Sequence, residues 1–525
     1  MGMTLKKTLI VLIPSLIFSA YHIITGNLLT GFLSIAIAVG LSVLMAFVGR
    51  ERVPTKVNLQ LVTAILHMHA LSMGHVGPED LVGIIADTEE YGFYSKVFKR
   101  IRSLAKKFGY GFTRATAQVA QTVKSPLREI LVRCTTVFSS EEPEEYLEME
   151  SSTLMEEYAG HYLRAIESLK MIGGVFTAFQ SVLIFMVMTL AIMTVFMVDP
   201  NVVVFSYIIS AVSLLIMCWM FRTASPDDKT VHIGKFPPKS YLYVKRSLLV
   251  ALPISVIAAF LVYRIYGPAF AFITIGLGML VPGAIAYKFE SHVYSIDDHY
   301  PTFLKALGEN LASTADLKAA LSYILYMELG PLKKMVQGAL SRLKLGLTHD
   351  IALETLSSEA ASHQAYISNK ILLDSLGQGA DPLKVGNLLG NRVVRFLDFR
   401  KKRETVAKGF QATIIVIQPV IVVLLVVLTT LASFLSESLF SLPFLGFAPV
   451  PLEVVQTGNI ILLILTATIN ALSLKELKGG FWGTFLLNFG LLLILSGGAW
   501  IATEKLIGVA LGQLPGIEMF PMPEM

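Results

Sequence analysis

The residues best able to do work in this chain are charged, and they are sorted by sign. Between Lys96 and Arg133 stand ten bases, Lys96, Lys99, Arg100, Arg102, Lys106, Lys107, Arg114, Lys124, Arg128 and Arg133, against one acid, Glu129. From Glu141 to Glu157 the sign reverses, with eight acids and no base. A second basic cluster, Lys384, Arg392, Arg395, Arg400, Lys401, Lys402, Arg403 and Lys408, faces only Asp398 and Glu404. The chemistry open to such patches is recognition, because complementary charge raises encounter rates and fixes orientation. For the first two stretches the plain alternative is mutual pairing on a solvated bundle. Surface pairs contribute only about 0 to 1 kcal/mol each, a weak reason to segregate charge so fully. For the second cluster the plain alternative is anchoring, since bases beside a span attract anionic lipid by about 1 kcal/mol each. Lys99, Arg100, Arg102, Lys106 and Lys107 are therefore candidate contacts for a protein partner. Arg392 and Arg395, a turn or more from the bilayer, form a second patch. Arg400, Lys401, Lys402 and Arg403 form a membrane-proximal cluster shared between lipid and partner.

Catalytic patterns do not emerge. No G-x-x-x-x-G-K-[ST] loop occurs, so energy for any work must come from a partner. The spans carry no Asp placed for intramembrane proteolysis; Asp199 and Glu437 fall at external helix ends. His67, His69 and His75 lie close in sequence, but 67 and 69 point to different helix faces and no Cys or carboxylate joins them at metal spacing. The reading is a non-enzyme without metal or cofactor. The pI near 8.9 reflects loop bases that lack interleaved aromatics, so no nucleic acid is implied.

The elements that must position these charges are mostly membrane helices. With 54% hydrophobic residues, 15% charged residues and a mean hydropathy of +0.65, the chain is an integral membrane protein. Apolar runs long enough to cross a bilayer stand at about nine places: Thr8 to Ile24, Leu28 to Val48, Ile172 to Val198, Val202 to Phe221, Leu248 to Tyr266, Ala269 to Lys288, Phe410 to Leu435, Gly458 to Leu474 and Phe481 to Ala502. With a cytoplasmic amino terminus and an external carboxyl terminus, only Arg264 and Lys505 of the 43 Lys and Arg residues fall outside, which satisfies the positive-inside rule. Cys134 and Cys218 cannot build a disulfide framework and read as reduced thiols.

The expected organisation is all-α. Transmembrane helices 1 and 2 occupy 1–49, a first cytoplasmic helical bundle 50–171, helices 3 and 4 172–221, a cytoplasmic loop 222–247, helices 5 and 6 248–288, a second bundle 289–409, helices 7 to 9 410–502 and an external tail 503–525. Helix breaks are expected at Gly77-Pro78-Glu79, Gly109-Tyr-Gly, Gly330-Pro331, Gly346 and Gly379-Ala-Asp-Pro382. The halves repeat one plan of two spans, a bundle and two spans. Within the bundles Phe108-Gly-Tyr-Gly-Phe-Thr-Arg-Ala115 aligns with Leu345-Gly-Leu-Thr-His-Asp-Ile-Ala352.

This plan resembles the type II secretion F and type IV pilus superfamily of membrane platform proteins, and the size and extra spans resemble its archaellum (archaeal flagellum) assembly branch. The residues carrying the likeness are the amphipathic helix from Leu61, Gly-Tyr-Gly-Phe with Ala115, Ser139-Ser-Glu-Glu-Pro-Glu-Glu-Tyr-Leu147 with Glu150, Tyr300-Pro-Thr-Phe-Leu304, and Leu383 through Arg403 into Gln418-Pro419. The resemblance implies a homodimer in the cytoplasmic membrane. Its bundles would dock against or within a hexameric secretion ATPase, and it would act on an archaellin or pilin filament base. A non-motile pilus platform shares these features. A transporter would need ionisable groups at mid-membrane depth, where the spans offer only Gln180, Gln411, Gln418, Asn470 and Asn488.

Overall fold

The computed structural model describes residues 56–139, 143–193, 201–226, 228–234, 236–440 and 452–512. The first two expected spans, most of the loop Ser436 to Gln456 and most of the tail lie outside the described residues. Among the described residues the chain is helical, and its only β feature is an isolated bridge between Val231 and Ser362.

The first polar segment folds as α1 (Leu59–Ser72), α2 (Pro78–Asp87), a 3-10 turn (Glu89–Tyr91), α3 (Phe93–Lys107), α4 (Phe112–Ala120) and α5 (Leu127–Val137). It then enters α6 (Pro143–Met193), followed by α7 (Asn201–Ala224) and α8 (Lys239–Tyr266). The second copy begins within α9 (Pro268–Thr314) and continues through α10 (Leu317–Ile324), α11 (Leu332–Lys344), α12 (His349–Ala360) and α13 (His363–Gly377). Its closing helix is α14 (Pro382–Phe440), and α15 (Leu452–Lys478) and α16 (Thr484–Gly512) complete the described chain. Every break expected from Gly and Pro falls between two of these helices. In element order the α3–turn–α4 hairpin corresponds to α11–turn–α12, and α6 to α14.

Seven helices, α6 to α9 and α14 to α16, are long and apolar enough to cross a membrane, in agreement with the seven expected spans that are described. Three of them, α6, α9 and α14, run unbroken from the polar region into the apolar one. At these three places the polar and membrane parts are joined by a continuous helix.

The two polar segments share one hydrophobic core, which contains residues from Val57 to Ile166 and from Ile296 to Phe399. Its seam is aromatic: Tyr158 and Tyr162 of α6 meet Phe396 and Phe399 of α14, with Tyr162 and Phe399 stacked at 5.2 Å. Helix α1 starts on an Asn58 cap whose side chain accepts from the Leu61 amide at 3.0 Å. The sequence suggested an amphipathic helix here, yet every residue from Leu61 to Ser72 is buried. Packed between first-copy helices, α6 and α13, it has no solvated face, and an all-round apolar helix is what such a site needs. One ring nitrogen of each of its histidines is met internally. His67 Nδ1 lies 2.9 Å from the Tyr91 hydroxyl, and His69 Nδ1 lies 3.1 Å from Ser151 Oγ on α6.

In the membrane part α9 and α16 approach closely through small residues. A Cβ on Gly276 would stand 2.7 Å from the Gly490 carbonyl, and one on Gly497 would stand 2.5 Å from the Ala269 carbonyl. Small-residue contacts of this kind replace the missing hydrophobic drive between spans. Gly276, Gly490 and Gly497 are therefore spent inside one chain.

Candidate functional site

Helix α3 buries Tyr94, Val97, Phe98, Ile101 and Ala105, which leaves its bases on the opposite face. Arg102 forks onto Asp87 of α2, with Nη1 and Nη2 donating at 2.7 and 2.9 Å, and holds that carboxyl below its usual range. Lys106 pairs with Glu79, also on α2. Lys99, Arg100 and Lys107 are exposed and make no ion pair among the described residues. The five predicted residues thus share one face, two of them tied to α2 and three open to a partner.

Between the basic and acidic stretches Arg133 forks onto Glu150, with both bonds at 2.7 Å. The acidic stretch on α6 turns instead toward α14: Glu144 meets Lys384 at 2.7 Å and Glu156 meets Arg395 at 2.5 Å. The basic face of α3 keeps its excess because the acids next in sequence are used to join the two copies.

The second predicted patch needs correction. Arg395 lies on the surface, half-exposed and paired to Glu156. Arg392 is 3% exposed, wedged between α1 and α13, where its Nη groups reach Thr63 Oγ1 and Ser368 Oγ at 3.4 Å and its guanidinium covers the Phe396 ring. Helical spacing puts residues three apart on neighbouring faces, and here one of them is the core face. Arg392 is not available as a docking residue.

The membrane-proximal cluster divides in the same way. Lys401 and Lys402 are exposed, and Lys402 pairs with Asp398 at 2.8 Å. Arg400 reaches inward to the fully buried Asp297 at 2.6 Å, and Ser362 Oγ donates to the same carboxylate. Arg403 is 2% exposed and holds a fan of acceptors. Nε donates to the Leu477 carbonyl at 2.7 Å, Nη1 to Asp228 at 2.8 Å and to the Pro226 carbonyl at 3.0 Å, and Nη2 to the Glu476 carbonyl at 2.6 Å. Lipid anchoring therefore does not describe Arg400 or Arg403. A planar guanidinium with five donors suits a site that must hold several carbonyls at once.

Around Arg403 a charged junction joins the polar core to the membrane core. Tyr162 donates to Asp228, Arg222 pairs with Glu476 at 2.7 Å, and Lys478 pairs with the buried Glu290 at 2.6 Å, which also accepts from the Phe481 amide. The loop after α7 belongs to this junction. His232 N donates to the Ala361 carbonyl at 2.9 Å, and the His232 ring stacks on Tyr366 at 3.7 Å. The loop's sequence carries one usable signal for this role, the acid Asp228 within a basic neighbourhood. Partly buried His363, beside Lys229, is held far toward its neutral form, its pKa lowered to about 3 chiefly by desolvation. Burial likewise pushes the Cys134 thiol up to about 12, so it is unreactive.

Four of the five mid-membrane amides, Gln411, Gln418, Asn470 and Asn488, bond to one another or to a neighbouring helix. Gln411 donates to Asn488 at 3.1 Å, Gln418 to Ser496 at 3.0 Å, and Asn470 to Gln418 at 2.8 Å, tying α14 to α15 and α16. This is interhelical glue of the ordinary kind.

Fold and surfaces together define a multi-pass, all-α membrane protein whose polar domain is fused to its spans through continuous helices. The chain is similar to flagella accessory protein J of Methanocaldococcus jannaschii, with 24% identity across 96% of this chain and 95% of that protein. It is also similar to flagella accessory protein J of Methanococcus voltae, with 22% identity across 66% of this chain and 65% of that one. These relatives bear out the resemblance to the archaellum assembly platform. No family model matches the chain. No solved structure matches it.

Proposed function

We propose that this chain is the membrane platform of an archaellum machine, a non-catalytic element that couples a hexameric cytoplasmic secretion ATPase to assembly of the filament, and in the swimming case to its rotation. The observation that carries this reading is the passage of α6, α9 and α14 from the polar core into the membrane without a break. A displacement imposed on the polar domain is carried by three rigid helices to the spans, and the Arg403 junction fixes the loop between α7 and α8 to the same frame. The polar domain faces the cytoplasm in this reading, because the basic loops gather on its side. The platform acts as a homodimer and presents its spans to the archaellin filament base.

Docking proceeds through the α3 face, where Lys99, Arg100 and Lys107 make no ion pair among the described residues, with Arg395 as a lesser contribution. Exposed charge suits an interface that must form and release repeatedly. The test is ATP hydrolysis by the cognate ATPase on addition of the full-length chain in nanodiscs, beside a Lys99→Glu, Arg100→Glu, Lys107→Glu variant. Stimulation that is lost in the variant, with unfolding unchanged, is the expected result. Equal stimulation by both would remove α3 from the interface, and no binding by the unaltered chain would remove the platform reading.

A further inference from the structure

The two copies of the polar repeat each end a basic helix in an exposed apolar tip. Helix α3 carries Lys96, Lys99, Arg100, Arg102, Lys106 and Lys107 and no acid; α11 carries Lys333, Lys334, Arg342 and Lys344 and no acid. Each helix closes on the same four-residue pattern, Lys107-Phe108-Gly109-Tyr110 and Lys344-Leu345-Gly346-Leu347. Both central glycines are left-handed, with φ of +69° and +84°. A side chain there would be strained, so the turn requires glycine in each copy.

Helix-ending turns of this type usually fold the apolar residue after the glycine back onto the helix. Here the apolar residues on both sides of each glycine keep much of their surface in solvent. Phe108 is 66% and Leu345 83% exposed, while Tyr110 and Leu347 are 41% and 42% exposed, although Arg114 lies over the Tyr110 ring at 5.5 Å. The residues that anchor the following helices, Ala115 and Ala352, are both fully buried. Lys107 and Lys344 are exposed without an ion pair among the described residues; Asp350, at the start of α12, is the acid nearest in sequence to the second tip. Two large apolar groups on a turn cost solubility, and the same cost appears twice in a molecule whose copies otherwise differ at most positions.

We propose that these tips are paired docking prongs, each inserting its two apolar side chains into an apolar pocket with an acidic rim. The partner is a protein that offers the same pocket at least twice, as an oligomer of identical subunits does. The inference rests on the platform reading and assigns these pockets to the hexameric ATPase. Basic flanks steer the approach, and the apolar insertion gives contact area that charge alone does not. Because both prongs sit on one rigid core, the second engagement is intramolecular, and such linkage raises avidity by about 10² to 10⁴.

The experiment measures ATPase affinity for the full-length chain in nanodiscs. The variants are Phe108→Ser with Tyr110→Ser, Leu345→Ser with Leu347→Ser, all four together, and Lys107→Glu with Lys344→Glu. Each apolar pair is expected to weaken binding at least about tenfold and all four at least about a hundredfold, with thermal unfolding unchanged because these side chains lie outside the core. The charge variant, which leaves the tips' shape intact, is expected to slow association. If the unaltered chain binds and the four-residue variant binds within about twofold of it, this inference fails and the platform reading stands. If the unaltered chain does not bind, both fail. If the variants keep ATPase affinity but lose tethering of anionic-lipid vesicles, the tips contact a lipid surface and the inference is overturned.

Discussion

Arg400 Nη1 stands 2.6 Å from Oδ2 of Asp297, a carboxylate with no exposed surface. One member lies on α14 and the other on α9, so the pair clamps two of the three helices that join the polar core to the membrane. Removing one partner strands the other charge in a poorly solvated site, whereas removing both can be nearly neutral. Arg400→Ala is expected to cost about 3 to 5 kcal/mol. Arg400→Met with Asp297→Asn is expected to recover most of that loss. Denaturant titration in mixed micelles, followed by tryptophan fluorescence, checks both.

Arg392 provides the opposite case. It is 3% exposed, it has no carboxylate among its contacts in the described residues, and its hydrogen bonds are long at 3.4 Å. Arg392→Met keeps the length and drops an expensive charge, so stability should stay within about 1 kcal/mol or rise. ATPase affinity should not change, in contrast to reversal on α3. The same binding measurement on both variants separates a core arginine from a surface one. Raising salt from 50 to 500 mM should weaken binding of the unaltered chain at least about tenfold, since exposed charges are screened.

Acid should loosen the junction between the loop after α7 and the second repeat. His363 is neutral when folded, its pKa about 3, with Lys229, Arg392, His232 and Arg400 adding to the effect of burial. An unfolded histidine titrates near 6.5. Below that value the unfolded chain binds a proton that the folded one refuses, so this contribution is complete above about pH 6.5 and is lost as pH falls toward 3. His363→Gln should flatten the fall in stability between those limits. Unfolding midpoints at stepped pH, for both proteins, test it.

Helices α9 and α14 cross at a pair of glycines. A Cβ on Gly386 would stand 2.8 Å from the Leu304 carbonyl and 2.9 Å from Gly308 Cα, both backbone atoms that cannot rotate away. Gly386→Ala is expected to force the helices apart at about 1 to 3 kcal/mol, the usual cost of overpacking. Gly498, with nothing within 4 Å, is the control: Gly498→Ala should be neutral. Unfolding by denaturant distinguishes them.

The sequence by itself determined the class of the protein and its repeat. Runs such as Val202 to Phe221 exceed any soluble helix in apolar length, and backbone chemistry leaves a chain like that no option but helices in a membrane. Glycine and proline placed the helix breaks at Pro78, Gly109, Gly346 and Pro382 because their dihedral limits are local. The charge of α3 was legible for the same reason: on a helix whose apolar face is clear, the remaining bases have nowhere to go but outward. What tertiary structure alone decided was the fate of charges that lie near more than one element. Arg392 and Arg395 are equally basic in the sequence, yet one meets Thr63 from far up the chain and the other meets Glu156 on the surface. Arg400 and Arg403 read as residues shared between lipid and partner until Asp297, Asp228 and the end of α15 converge on them. Burial of a charge depends on partners distant in sequence, and no local pattern encodes which of them will arrive.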